Sequence, residues 1–121
     1  MLLRNKFTDI IDRARKNNYL DEHGIFRDFW FCYDKKYDHY YLADCDAGLY
    51  VELVKEAYDF LIQLVVDKHP TTAVVYLGDG LTLNIRSSRE PAFGAIKASI
   101  SISHKEYGIL SKREISIERH K

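Results

Sequence analysis

Disulfide scaffolding is not open to this chain, which has two cysteines, Cys32 and Cys45, in 121 residues. Small disulfide-built domains use several cysteine pairs, so both thiols are expected to be reduced, as in a cytoplasmic protein. Proline is equally scarce, at two residues, and Pro70 and Pro91 both fall at expected element boundaries, which leaves no proline-rich linker. Net charge is absent, with 18 basic and 18 acidic residues, and this argues against nucleic acid as a partner held by general polyanion binding. There is no long hydrophobic run. The longest uncharged stretch, residues 69–78, is far below the ~20 residues that span a bilayer, so no membrane association is expected. Arg4 and Lys6 open a charged amphipathic segment with no apolar run behind it, so a secretory signal is not expected either.

What is present is an ordinary globular composition rich in tyrosine. The length is read as one domain over residues 1–121, long enough to bury about two-thirds of its unfolded surface. The charge balance conceals a segregation. Residues 1–20 carry five basic and two acidic side chains, residues 21–59 four and ten, and residues 60–121 nine and six, for net charges of +3, −6 and +3. Twelve of the sixteen aromatics fall within residues 19–60, in and beside that acidic middle.

Periodicity organises the rest. Leu3, Phe7, Ile10, Ile11 and Ala14 follow helical spacing with charged residues off the stripe, which predicts an amphipathic first helix ending at Asn17-Asn18. Residues 21–24 read as a turn. Residues 26–33 are dense in strand-favouring aromatics, although short apolar runs also suit a helix. As a strand they put Phe29, Phe31 and Tyr33 on one face, with Trp30 and Cys32 on the other. Residues 34–38 read as a hairpin loop, and residues 39–43 as the returning strand. Over residues 46–69 the polar residues Glu52, Lys55, Glu56, Asp59, Gln63 and Asp67 step by three and four, which predicts a long, mostly buried helix capped by Asp44 or Asp46 and stopped before Pro70.

Beyond Pro70 the period becomes two. Residues 71–77 read as a strand and Gly78-Asp79-Gly80 as a hairpin turn. Leu81, Leu83 and Ile85 alternate with polar residues, followed by a loop over residues 87–91. Ile96, Ala98, Ile100 and Ile102 alternate with Lys97, Ser99, Ser101 and Ser103; a loop spans residues 104–108, and Ile115 and Ile117 lie in a last strand. The fold class predicted is α+β: an antiparallel sheet of about four to six strands, packed on one face by the long central helix and the N-terminal helix.

No motif names a reaction, and binding is favoured over catalysis. Cys32, His39 and Cys45, with Asp44 or Asp46, lack the paired short spacing of zinc ligands, so no metal and no cofactor is expected. Asp44-x-Asp46-x-Gly48 fails as a calcium loop, because such loops need glycine at position six and glutamate at position twelve. Here those positions hold Leu49 and Lys55. Gly78-Asp79-Gly80 lacks both phosphate-loop patterns. Arg86, Arg89 and Lys97, beside the serines of residues 97–103, offer cations without rings on the polar face for bases to stack on, and read as a solvated face or one paired with another subunit.

The aromatic, acidic region is the remaining candidate. Trp30, Asp34, Tyr37, Asp38, Tyr40, Tyr41, Asp44 and Asp46 predict a tyrosine-rich, negatively charged surface for another protein with a basic face. In that reading the chain is an inhibitor, or an immunity or anti-defence protein, blocking a basic and nucleic-acid-handling partner. A second reading is a small-molecule-binding protein or small enzyme with a pocket between the 26–43 hairpin and the long helix, using Trp30, His39, Tyr41 and Asp44. A third is a homodimeric subunit or chaperone pairing through its outer strand.

Overall fold

In the computed structural model the described residues are 4–89 and 94–118. They fall into two compact units, Met1–Lys55 and Glu56–Lys121. The first contains helix α1 (Arg4–Lys16) and strands β1 (Leu20–Phe26), β2 (Phe29–Asp34), β3 (His39–Asp44) and β4 (Leu49–Leu53). Helix α2 (Lys55–Leu61) runs into a π-helical turn over Ile62–Val66, and the second unit continues with β5 (Ala73–Gly78), β6 (Leu81–Arg89), β7 (Ile96–His104) and β8 (Gly108–Ile117). Each unit holds one four-stranded antiparallel sheet, with its strands adjacent in chain order.

Helix α1 forms for the reason its sequence states. Phe7, Ile11 and Ala14 are buried at helical spacing, while Arg13, Arg15 and Lys16 fill the last turn, where cations suit the negative end of the helix dipole. The helix closes on Asn18 at a φ of 60°, the left-handed geometry asparagine tolerates. Its apolar face packs on one face of the first sheet, where Phe7 and Ile11 join Cys32, Tyr41, Ala43 and Tyr50. Phe7 sits 4.9 Å from Tyr50 and 5.4 Å from Tyr41, ring centre to ring centre. The opposite face carries Phe29, Phe31, Leu42, Leu49, Val51 and Leu53, all buried. Two-sided burial explains why these strands read as continuous apolar runs.

The long helix over residues 46–69 is overturned, and with it the α+β fold class. Residues 45–48 are a turn, and Leu49–Leu53 is a strand paired antiparallel with Tyr40–Asp44. Asp44 accepts from the Ala47 N–H at 3.2 Å, Gly48 N–H donates to Cys45 O at 3.1 Å, and Gly48 adopts a φ of 65°. These interactions reverse the chain where a helix start was expected, so Asp44 caps a hairpin turn instead of a helix. An all-round apolar run is equally the signature of a strand buried on both faces, and Leu49, Tyr50, Val51 and Leu53 are all buried. Helical geometry survives only from Lys55 to Val66, with Ala57, Leu61 and Leu64 buried. The Asp67 N–H donates to Ile62 O at 3.0 Å, the i→i+5 bond of a widened turn. The molecule is mostly antiparallel sheet, with two short helical segments among the described residues.

Two smaller corrections share one cause. Residues 21–24 lie inside β1, not in a turn, and β6 continues through Ser87 to Arg89, where a loop was expected; residues 90 and 91 of that loop lie outside the described residues, as does Leu3. Both stretches are polar because little of them is buried, so period-two hydrophobicity does not mark them. The alternation in β6 and β7 holds as read. Leu81, Leu83, Ile85, Ile96, Ala98, Ile100 and Ile102 are buried on one face, and the polar residues between them lie on the other.

The tyrosine-rich end of the first sheet

Successive hairpins of a meander turn at opposite ends of the sheet, and this decides what the aromatic, acidic region can be. The β2–β3 turn over residues 35–38 lies at one end and the β3–β4 turn over residues 45–48 at the other. Six strand residues, His39–Asp44, separate them by about 17 Å. Asp38 and Asp46 therefore cannot share one acidic patch.

Of the eight predicted contact residues, three are withdrawn from the surface: Asp34 and Asp44 are each 1% exposed, and Tyr41 is 3% exposed. Their burial has specific causes. Asp34 Oδ1 accepts from the N–H groups of Lys36 and Tyr37 at 3.0 and 3.1 Å, while Asp38 N–H donates to Asp34 O at 2.9 Å. The carboxylate is the internal clamp of the hairpin, as Asp residues are in turns. Asp44 holds the Ala47 N–H in the same way in its own turn. Tyr41 belongs to the α1-facing core; burial above all, then the nearby Glu52 charge, pushes its hydroxyl up to about 12. Trp30 is half-buried, with the Arg15 guanidinium 5.3 Å from its ring centre. Arg15 also hydrogen-bonds Glu22 at 2.6 Å, an interaction that raises its already high pKa.

Tyr37, Asp38 and Tyr40 assemble at the β2–β3 end. Asp38 takes a φ of 57° at the turn and accepts from the Tyr33 hydroxyl at 2.7 Å, with Tyr40 at a longer 3.5 Å. Tyr33 and Tyr40, a cross-strand pair, stack at 4.7 Å and 19°. The hydrogen bond to Asp38 is the main reason the Tyr33 hydroxyl is pushed up to about 12. Tyr37 is 52% exposed and meets Tyr19 edge-on at 6.3 Å. Lys36 Nζ stands 5.6 Å from the Tyr19 ring centre and 5.4 Å from that of Tyr37, within cation–π range. Lys35 pairs with Asp21 at 3.4 Å. Asp46 is exposed at the far turn, beside exposed Cys45.

Beneath this tip, on the α1 side of the sheet, lies a pocket of about 330 Å³, within the size range of small-ligand sites. Tyr19, Tyr37 and Tyr41 supply its rings, α1 supplies Lys6, Ile10 and Arg13, and Asp34, His39 and Glu52 complete it. Lys6, Ile10 and Arg13 reach it together because steps of four and three keep them on one helix face. His39 Nδ1 lies 2.7 Å from Glu52 Oε1. In the neutral ring, Nδ1–H donating to that carboxylate leaves Nε2 as an acceptor; in the protonated ring Nε2–H is a second donor. Among the described residues, no serine, threonine or cysteine lines the pocket. Cys32 is buried in the core, where desolvation pushes its thiol further up, and Cys45 is exposed at the opposite end. The pocket presents rings for contact area, two cations that suit an anion, and an imidazole for one hydrogen bond.

Sequence alone gives no signal that singles out Lys6, Arg13, Tyr19 or Tyr33, and its periodicity puts Glu52 on a helix stripe. The α1 cations had the spacing of one face, but a charged helix face gives no sign of what stands opposite. Among the described residues no cluster of three or more His, Cys, Asp or Glu side chains can hold a metal ion, and no helix is long and apolar enough to cross a membrane. The chain matches no protein-family model, no curated protein and no solved structure.

Proposed function

We propose that this is a protein-binding protein whose contact surface is the tyrosine-rich end of the first sheet. The observation that carries the proposal is Tyr37: a half-exposed ring at the tip of a hairpin whose backbone the Asp34 carboxylate already holds. Tyrosine supplies large contact area with few rotatable bonds, and a preformed turn lowers the ordering cost of binding. The chain then acts by occupying a partner's surface, as inhibitors and immunity proteins do. The setting is cytoplasmic in this proposal, supported by the two free thiols, Cys32 and Cys45.

The cations at this end bear on the charge of the partner. Exposed Lys35 and Lys36 flank exposed Asp38, and Lys6 and Arg13 line the pocket below. A purely basic partner would meet these cations, so the complementary surface carries both signs. The pocket also favours a second reading, in which a small anionic ligand with a planar ring sits between the tyrosines and the α1 cations.

The test is affinity capture from source cells, comparing the native chain with Tyr37→Ser and Asp38→Lys, and with Val74→Ser on the second unit as a control. Loss of about 2 kcal/mol at a central tyrosine lowers affinity roughly 30-fold, so both hairpin variants should lose the partner and the control should keep it. Equal capture by all of the chains would remove the proposal. Capture of nothing, together with a small-molecule thermal shift abolished by Arg13→Ala, would replace it with the second reading.

A further inference from the structure

The exposed face of the second sheet is not flat. Arg86 and Ser88 on β6, Lys97 and Ser99 on β7, and Glu114 and Ser116 on β8 surround a depression of about 590 Å³. Register explains it. Arg86 pairs with Ser99 and Ser99 with Glu114, while Ser88 pairs with Lys97 and Lys97 with Ser116. Two adjacent rows therefore alternate long charged side chains with serines. The short hydroxyl side chains form a floor, and the three long ones form a rim.

The footprint and the chemistry together point to a ligand class. Two rows span about 7 Å along the strands and three strands span about 10 Å across them, which suits one compact molecule better than an extended polymer. Arg86 offers a planar fork that grips a phosphoryl group through two parallel hydrogen bonds. Lys97, diagonal to it on the same face, adds a second positive charge. The serines both donate and accept. Glu114, on the far side of Ser99 from Arg86, accepts from ligand hydroxyls and repels a second anion. We propose that this depression binds a sugar or polyol phosphate, with its phosphoryl group between Arg86 and Lys97 and its hydroxyls over the serines towards Glu114.

The test is an amide NMR titration of the full chain with glucose 6-phosphate, with glucose and inorganic phosphate as separate arms. Glucose 6-phosphate at millimolar concentration should shift amides at residues 86–88, 97–99 and 114–116, where glucose or phosphate alone has little effect. Arg86→Ala should weaken the response at least about tenfold, equivalent to 1.4 kcal/mol; Glu114→Gln should weaken it less, and the remaining spectrum should stay unchanged in both. Arg86 and Glu114 are exposed, so these variants are expected to fold. Absence of shifts up to tens of millimolar overturns the proposal, as does an unaltered response in Arg86→Ala. An equal response to inorganic phosphate overturns the polyol assignment.

Discussion

Replacing Asp34 with alanine should unlatch the hairpin tip on which the proposed contact depends. The buried carboxylate accepts two backbone N–H bonds, at 3.0 and 3.1 Å. Bonds to a charged acceptor are worth about 1.5–3 kcal/mol each when nothing replaces them. Here water does replace them in part, because Lys36 and Tyr37 are exposed. The loss therefore falls to the range of a deleted helix cap, about 2 kcal/mol in all. Asp34→Asn keeps an acceptor of the same shape and should cost about half as much. Trp30 is the single tryptophan of the chain and lies in the first unit, so its fluorescence in urea reports that unit. With a slope of about 2 kcal/mol per molar urea, Asp34→Ala should lower the midpoint by about 1 M. A shift below about 0.3 M, or an asparagine variant as damaged as the alanine one, would refute the clamp.

Thiol labelling of the native protein should modify Cys45, which is exposed, and spare Cys32, which is buried with its pKa pushed up, until urea unfolds the first unit. Fast labelling of both thiols in the folded chain would contradict the core packing. Alkaline stability should follow Tyr41 together with Tyr33 and Cys32, whose protons the fold also holds; Tyr41 is the buried tyrosine of the three. An unfolded tyrosine loses its proton near 10, whereas Tyr41 keeps it to about 12, so the unfolded state binds fewer protons between those values. Stability is then fully present below pH 10 and is lost as pH rises towards 12. Tyr41→Phe should flatten that decline in urea melts, and an unchanged slope would show that other groups control it.

Parts of this architecture are written locally and can be read without coordinates. The stripe of Phe7, Ile11 and Ala14 fits only a helix, and Asn18 accepts the left-handed turn that ends it. Leu81, Leu83 and Ile85 in β6 and Ile96 to Ile102 in β7 alternate because one face of their sheet meets water. The sheet of the first unit is less legible because it is buried on both faces, which erases the alternation that separates strand from helix. Residues 49–53 are the clearest case. Their apolar run suits either structure, and the hairpin bonds of Asp44 and Gly48 with the pairing to β3 decide between them.

Composition and periodicity thus determined which residues repeat with a helical or an alternating period, that the chain turns near residues 34–38 and 78–80, and that tyrosine and acidic residues crowd the middle of the chain. Tertiary structure alone decided that a meander carries Asp38 and Asp46 to opposite ends of a sheet, turns Tyr41 into the core and spends the Asp34 and Asp44 carboxylates on their own turns. The reason is physical. A side chain's type is local information, but whether its charge meets solvent, a partner or its own backbone depends on strand pairing between residues distant in sequence.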